Sequence, residues 1–378
     1  MNESYFHATL TQIEERAKRL LGGVPLRVEG MDALAESCRR ELDLVIRGAG
    51  HLRDEPQYRH KAVQTERLRL LRNLFGQLDI VESSAVAALQ RVRTEDFRMT
   101  RMVGELAAEC RFPLPAPVVS CTSQDYFSIN TGLRLVQMPL TDGRHLLHLP
   151  DLVHEVAHLL PAELHNPRAT PFKRALQEVK ARIYAHYDQR QADLALGRSP
   201  LGLVARMPVW CQSWLKAWTV ELFCDLFAVY AIGPAYGWAH LHLCLRLPSD
   251  TYHCPSFTET SHPANAARTS AIVDGLRLAG FTTEADELTK AWEELLIITG
   301  ERPEADFAEC YPPALIKHAV EFSFQGFRDI GCTVMSRSAM GQCQSLLNEA
   351  WRRFRADPGK YPTWESSAMN DYFETRGR

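Results

Sequence analysis

The chain has 378 residues, of which 46% are hydrophobic and 24% charged, with a formal net charge of −3. That length builds one large globular domain or two smaller ones, and the composition is ordinary for a soluble protein. The charge balance leaves no basic surplus for nucleic acid or for an acidic membrane surface.

Residues 1 to about 115 read as a helical region with no nameable chemistry. Met1 to Phe6 leads directly into charged, helix-patterned sequence, so no secretory signal is expected. Thr9–Leu21 carries a helical pattern closed by Gly22-Gly23, and Met31–Ile46 a second one closed near Gly48-Ala49-Gly50. A long helix is expected from Lys61 to about Val92, and another over Thr94–Cys110 with Thr94 as N-cap. The charge run Glu66–Arg72 reads as a solvated helix face. Ten cysteines are scattered along the whole chain with no Cys-x-x-Cys pair. A cysteine zinc cluster is therefore not expected, and the simplest reading is reduced thiols in a cytoplasmic protein.

Pro113-Leu114-Pro115-Ala116-Pro117 marks a boundary. Val118–Cys121 and Leu133–Leu140 read as short strands, and Thr141-Asp142-Gly143 as a turn. The second strand lies just before the central motif. It suits either an exposed edge that pairs with an extended peptide or an ordinary strand of a small mixed sheet.

The central motif is His154-Glu155-Val156-Ala157-His158. Residues four apart share a helix face, so His154 and His158 can aim two imidazoles at one point. Glu155 lies about 100° around the helix, beside that point, placed as a general base rather than a third ligand. Pro150 and Asp151 suit a first turn, and Pro161 is expected to end the helix.

A helix follows over Phe172 to about Leu196, with His186 at its surface, and then a connection over Gly197–Pro208. Trp210–Ile232 is strongly apolar, yet it places Glu221 and Asp225 four residues apart. Desolvating a carboxylate costs several kcal/mol, so two on one face of an apolar helix ask for a cation. A metal ion bound by His154, His158 and Glu221 answers that need and leaves one position for water. Asp225, one turn on, can accept the free N–H of a ligand histidine. Salt bridges at a helix edge are the plainer alternative. Leu226–Leu245 is the most membrane-like stretch, but Gly233-Pro234 interrupts it and His240 and His242 follow, so it reads as buried helix and not as a span.

Ser261-His262-Pro263, with Arg268 shortly after, supplies a third motif. The order His-Glu-x-x-His, Glu-x-x-x-Asp, Ser-His-Pro resembles the gluzincin metallopeptidases, thermolysin-like enzymes and the CAAX prenyl protease-like group, over roughly residues 133 to 275. The resemblance implies a zincin-like core, Zn²⁺ held by His154, His158 and Glu221, Glu155 as general base, and His262 stabilising a tetrahedral intermediate. Two features depart from the family: the gap between His158 and Glu221 is long, and the prenyl protease-like group is usually membrane-embedded. Arg268 and Tyr252 are further candidates for oxyanion or substrate contacts, with His253 and Tyr236 behind them.

The remainder reads as helices over Ala266–Leu278, Thr283–Thr299, Pro313–Phe322 and Gly341–Phe354, with His318 structural or exposed and an irregular tail from Asp357. The expectation is a predominantly α-helical α+β protein. It has an N-terminal helical region (1–115), a zincin-like metallopeptidase core with a small sheet (116–280) and a C-terminal helical region (281–378). The expected chemistry is zinc-dependent hydrolysis of a protein or peptide substrate. Two other readings compete. Two histidines and a carboxylate also form the facial triad of non-haem iron oxygenases. The flank Leu149–Glu155 is similar to that of aromatic amino acid hydroxylases, whose histidines lie five positions apart rather than four. The chain could equally be a non-catalytic interaction protein on a zincin scaffold, although a scaffold has no need of Glu155.

Overall fold

The computed structural model describes residues 3–25, 27–59, 63–123, 126–196, 201–246 and 251–374. The protein is predominantly helical with one small sheet. Its internal contacts divide it into two units, Met1–Arg101 with Pro117–Leu140, and Met102–Ala116 with Thr141–Arg378. This division does not coincide with the sequence-based borders at 115/116 and 280/281.

The first unit packs α1 (Glu3–Gly23), α2 (Asp32–Asp54) and α3 (Gln64–Ile80) around one apolar cluster. Phe6, Leu10, Ile13 and Ala17 recur at helical spacing along α1 and meet Leu34, Leu42 and Val45 of α2 and Leu71 and Leu78 of α3. A π-helical turn, Val81–Val86, carries α3 on into α4 (Ala87–Gln90). The glycines at 48 and 50 do not end α2, which runs through them. A Cβ on Gly48 would stand 2.8 Å from Leu74, so this glycine marks a close helix crossing rather than a terminus. α5 (Thr94–Glu109) starts in this unit. The Asp96 carboxylate accepts the Arg93 N–H at 2.7 Å, and so takes the capping role expected of Thr94.

The sheet has three strands, β1 (Val118–Ser123), β2 (Ser128–Asn130) and β3 (Leu135–Pro139), in the order β1-β3-β2. β3 pairs in parallel with β1 and antiparallel with β2. The strand that precedes the histidine helix is therefore the central one. Both its edges are occupied, so of the two readings it is the ordinary strand of a small mixed sheet, with no free edge for an extended peptide.

The second unit is built on α10 (Thr219–Ile232). Every residue from Glu221 to Leu241 is buried. Around α10 pack α6 (Asp151–Ala157), α8 (Thr170–Leu196), α11 (Pro234–Arg246), α12 (Asn265–Leu278) and α15 (Pro313–Asp329). The break at Gly233 is as expected: this residue adopts φ +65° and α11 starts at Pro234. Residues 201–208, expected as a connection, are instead the start of α9 (Leu201–Ser213), with Pro208 inside it. A π-helical turn, Trp214–Trp218, joins α9 to α10. Positions 197–200 of that expected connection lie outside the described residues.

α6 ends at Ala157, before Pro161, and α7 (Leu159–Ala162) contains that proline. Pro161 has no N–H to offer the Ala157 carbonyl, so the ladder lapses one turn ahead of it. α13 (Thr282–Thr299), the short α14 (Phe307–Cys310) and α16 (Gln342–Ala356) follow. The expected irregular tail holds a further helix, α17 (Tyr361–Glu374). Glu365 on α17 accepts the Leu146 N–H at 2.6 Å and the Tyr361 hydroxyl at 2.8 Å. Among the described residues, no helix is long and apolar enough to cross a membrane.

Gly233 combines a left-handed φ with a Cβ position 2.5 Å from the Met335 methyl carbon. Gly233→Ala is expected to lower unfolding stability by about 1–3 kcal/mol. Gly76→Ala, at an open helical site, is expected to raise it by about 0.5–1 kcal/mol. The midpoints of urea unfolding read both.

Candidate metal centre

α6 and α10 pack against each other and bring the two central motifs together. The Nε2 atoms of His154 and His158 lie 3.2 Å apart. Glu221 places Oε2 at 3.3 Å from the His154 Nε2 and Oε1 at 3.7 Å from the His158 Nε2. Nitrogen and oxygen ligands about 2.0–2.1 Å from a tetrahedral zinc stand about 3.3 Å from one another. The Nε2–Nε2 and His154 Nε2–Glu221 Oε2 separations are close to that edge length, and one ligand atom from each of the three side chains lies within 4.8 Å of the others. Among the described residues this is the one group of histidine, cysteine, aspartate or glutamate side chains that converges closely enough to hold a metal ion. The Glu221 Oε2 is also buried, and it faces the His154 and His262 Nε2 atoms at 3.3 and 3.4 Å.

Asp225 stands behind His154, with Oδ1 2.8 Å from Nδ1. An ionised carboxylate can only accept, so Nδ1 donates to Asp225 and Nε2 is the nitrogen left to face Glu221 and a metal ion. Burial works against the charge on Asp225. Arg268 outweighs it and holds the carboxyl well below the usual range. The guanidinium grips both oxygens, Nε to Oδ2 at 2.8 Å and Nη2 to Oδ1 at 2.7 Å. The Tyr236 hydroxyl donates to the Asp225 Oδ1 and lies 3.1 Å from the His154 Nδ1.

Arg268 and Tyr236 are therefore not placed as substrate contacts. They are 8% and 1% exposed and lie on the Nδ1 side of His154, away from the converging atoms. Tyr252 also falls short of its expected role. Its ring packs edge-on against Phe307 at 5.1 Å, and among the described residues no hydrogen bond or ring contact joins it to the cluster. The His253 carbonyl accepts the Tyr311 hydroxyl.

His262 does reach the cluster, with its Nε2 3.4 Å from the Glu221 Oε2 and a side chain 58% exposed. Its loop is pinned by aromatic donors. The Trp210 indole donates to the Pro255 carbonyl at 2.7 Å and the Trp218 indole to the Thr260 hydroxyl at 3.0 Å. Tyr311 holds both ends, donating to the His253 carbonyl and accepting the Ala264 N–H.

Among the described residues, no hydrogen bond or ion pair holds the Glu155 carboxylate, which is half-buried. Burial raises it, partly opposed by the neighbouring His154, to about 7. Glu221 moves the other way. Burial would raise it, but the adjacent His154, with His158 and His262, brings it down to about 2. His154 is raised to about 10, because Asp225 and Glu221 outweigh its burial, whereas burial takes His158 down to about 4. A metal ion binding here competes with the His154 proton.

Cavity size does not mark this centre. A groove of about 390 Å³ elsewhere in the unit, lined by residues that include Trp238, Met335 and Trp351, contains none of these side chains. No family model, curated protein or solved structure matches the chain.

Glu221→Ala is expected to abolish tight zinc binding, whereas Glu155→Gln retains it. Titration against a chromophoric chelator separates the two. Arg268→Met takes from buried Asp225 the cation that grips both its oxygens, and is expected to cost about 3–5 kcal/mol of stability in urea unfolding.

Proposed function

We propose that this chain is a zinc-dependent metallohydrolase of gluzincin-like type that cleaves peptide bonds in a protein or peptide substrate. The observation that supports this reading is the convergence of His154, His158 and Glu221 at separations of 3.2–3.7 Å, with the unpaired Glu155 carboxylate next in sequence to His154. These three residues would hold Zn²⁺, which when bound polarises a carbonyl and acidifies a bound water.

The chain's own residues divide the remaining work. Glu155, raised to about 7 by burial, can take a proton from the attacking water near neutral pH and return it to the leaving amine. His262 stands at the exposed side of the cluster, where its ring can donate to a developing oxyanion. Asp225, Tyr236 and Arg268 fix the tautomer and direction of His154. The same two histidines and carboxylate would serve a non-haem iron oxygenase, but that chemistry has no use for Glu155 as a base.

The test is hydrolysis of a fluorogenic peptide library by the zinc-loaded protein. Glu155→Gln is expected to lower kcat by about 10²–10⁴-fold while zinc stays bound. A zinc-loaded wild type that cleaves no peptide, or a Glu155→Gln variant with unchanged turnover, would sink the proposal. Iron in the purified protein together with oxygen uptake would replace it by the oxygenase reading.

A further inference from the structure

All ten cysteines are free thiols in this structure, and four of them meet in two side-chain pairs, Cys110 with Cys332 and Cys254 with Cys310. All four lie in the second unit and are buried. Hydrogen bonds join the segments that carry each pair, backbone to backbone at the first and side chain to backbone at the second. The Thr333 N–H donates to the Cys110 carbonyl at 2.9 Å, and the Cys332 Sγ lies 3.6 Å from the carbonyl oxygen of Arg111. At the second pair the side chain of Tyr311, next to Cys310, donates its hydroxyl to the carbonyl of His253, next to Cys254, at 3.2 Å. The Cys310 carbonyl is itself held by the Trp214 indole at 3.0 Å and the Tyr187 hydroxyl at 2.8 Å. Other cysteines have different neighbours: Cys343 sits on Tyr372 and Glu105, and Cys244 beside His240.

We propose that Cys110 with Cys332, and Cys254 with Cys310, close as two intramolecular disulfides, the second of which ties the His262 segment to the body of its unit. A low-molecular-weight disulfide of the glutathione type serves as the oxidant. One protein thiolate attacks it, forming a mixed disulfide and releasing one small thiol. The partner cysteine then attacks the protein-bound sulfur and releases the second small thiol. Each closure forms one S–S bond in the protein and breaks one in the oxidant. The two thiol protons and two electrons end on the released thiols.

Burial disfavours the thiolate of Cys310 most, with Cys254 adding to it, and the neighbouring Cys110 and then burial do the same for Cys332. The thiolate is the attacking species, so closure proceeds slowly in the folded protein and fast while the chain is folding. Each bond closes a long loop, the condition under which a cross-link restricts the unfolded chain most.

The test uses the full chain, refolded in glutathione buffer poised at about −180 to −210 mV, alkylated, and digested without reduction. Mass spectrometry is expected to find the 110–332 and 254–310 cross-linked peptides, six alkylated cysteines and an intact mass about 4 Da below the reduced form. Cys110→Ser and Cys254→Ser should each remove one cross-link and leave the other. The oxidised protein should melt several degrees above its phosphine-reduced form. Ten alkylated cysteines at that poise, or cross-links joining other positions, would overturn the proposal. Neither result depends on metal binding.

Discussion

A carboxylate with no solvent exposure keeps its charge only beside a cation, and Asp225 has one in Arg268, which grips both its oxygens. Such a pair is weak evidence of net stability, because two desolvated charges repay little more than their own cost. Its value here lies in direction. Pinned from one side, Asp225 presents a fixed acceptor to the His154 Nδ1, which fixes the direction in which Nε2 points. Remove the arginine and the aspartate must either protonate or move, and with it goes the aim of the first imidazole.

The scaffold is arranged to keep that pair dry. α10 contributes both acids and is buried over its whole inner length. α12 delivers Arg268 from one flank and α6 delivers the histidines from another. The left-handed turn at Gly233 reverses the chain at once, which lets Tyr236 fold back onto Asp225, eleven residues earlier. A helix continuing past 232 would carry that hydroxyl away. The helix break that keeps this apolar run from resembling a membrane span thus also completes the hydrogen bonding of the centre.

The sequence made legible whatever local periodicity dictates. The helix existence over most of the chain, the Gly233-Pro234 break and the His154/His158 face follow from spacing alone. Of the two acids on the apolar helix α10, Asp225 has its cation in Arg268, while Glu221 faces the histidines of the candidate metal position. What escaped was set by tertiary contact. Gly48 was read as a stop, but it is a crossing point against Leu74. Whether β3 has a free edge stays open in the sequence, because β2 is three residues long and carries no alternation of its own. The last helix lacked a visible signal because Glu365, which docks it onto Leu146, finds its partner more than two hundred residues away. Arg268 was assigned to substrate because motif order says nothing about which side of an imidazole a side chain approaches.

Glu155 and Glu221 show how one environment can separate two like groups. Both are desolvated, and burial alone would raise both. Glu221 lies within 3.3–3.7 Å of three imidazoles, and their attraction reverses the sign of its shift. Glu155 sits one position along α6 and, among the described residues, no hydrogen-bond donor holds it, so burial prevails. The outcome is an acceptor that stays ionised at any ordinary pH beside a carboxyl that exchanges its proton near neutrality. A ligand needs the first property and a proton carrier the second. The roles assigned to the two residues in the proposed chemistry therefore rest on a difference of neighbours, which a 100° step along one helical turn is enough to create.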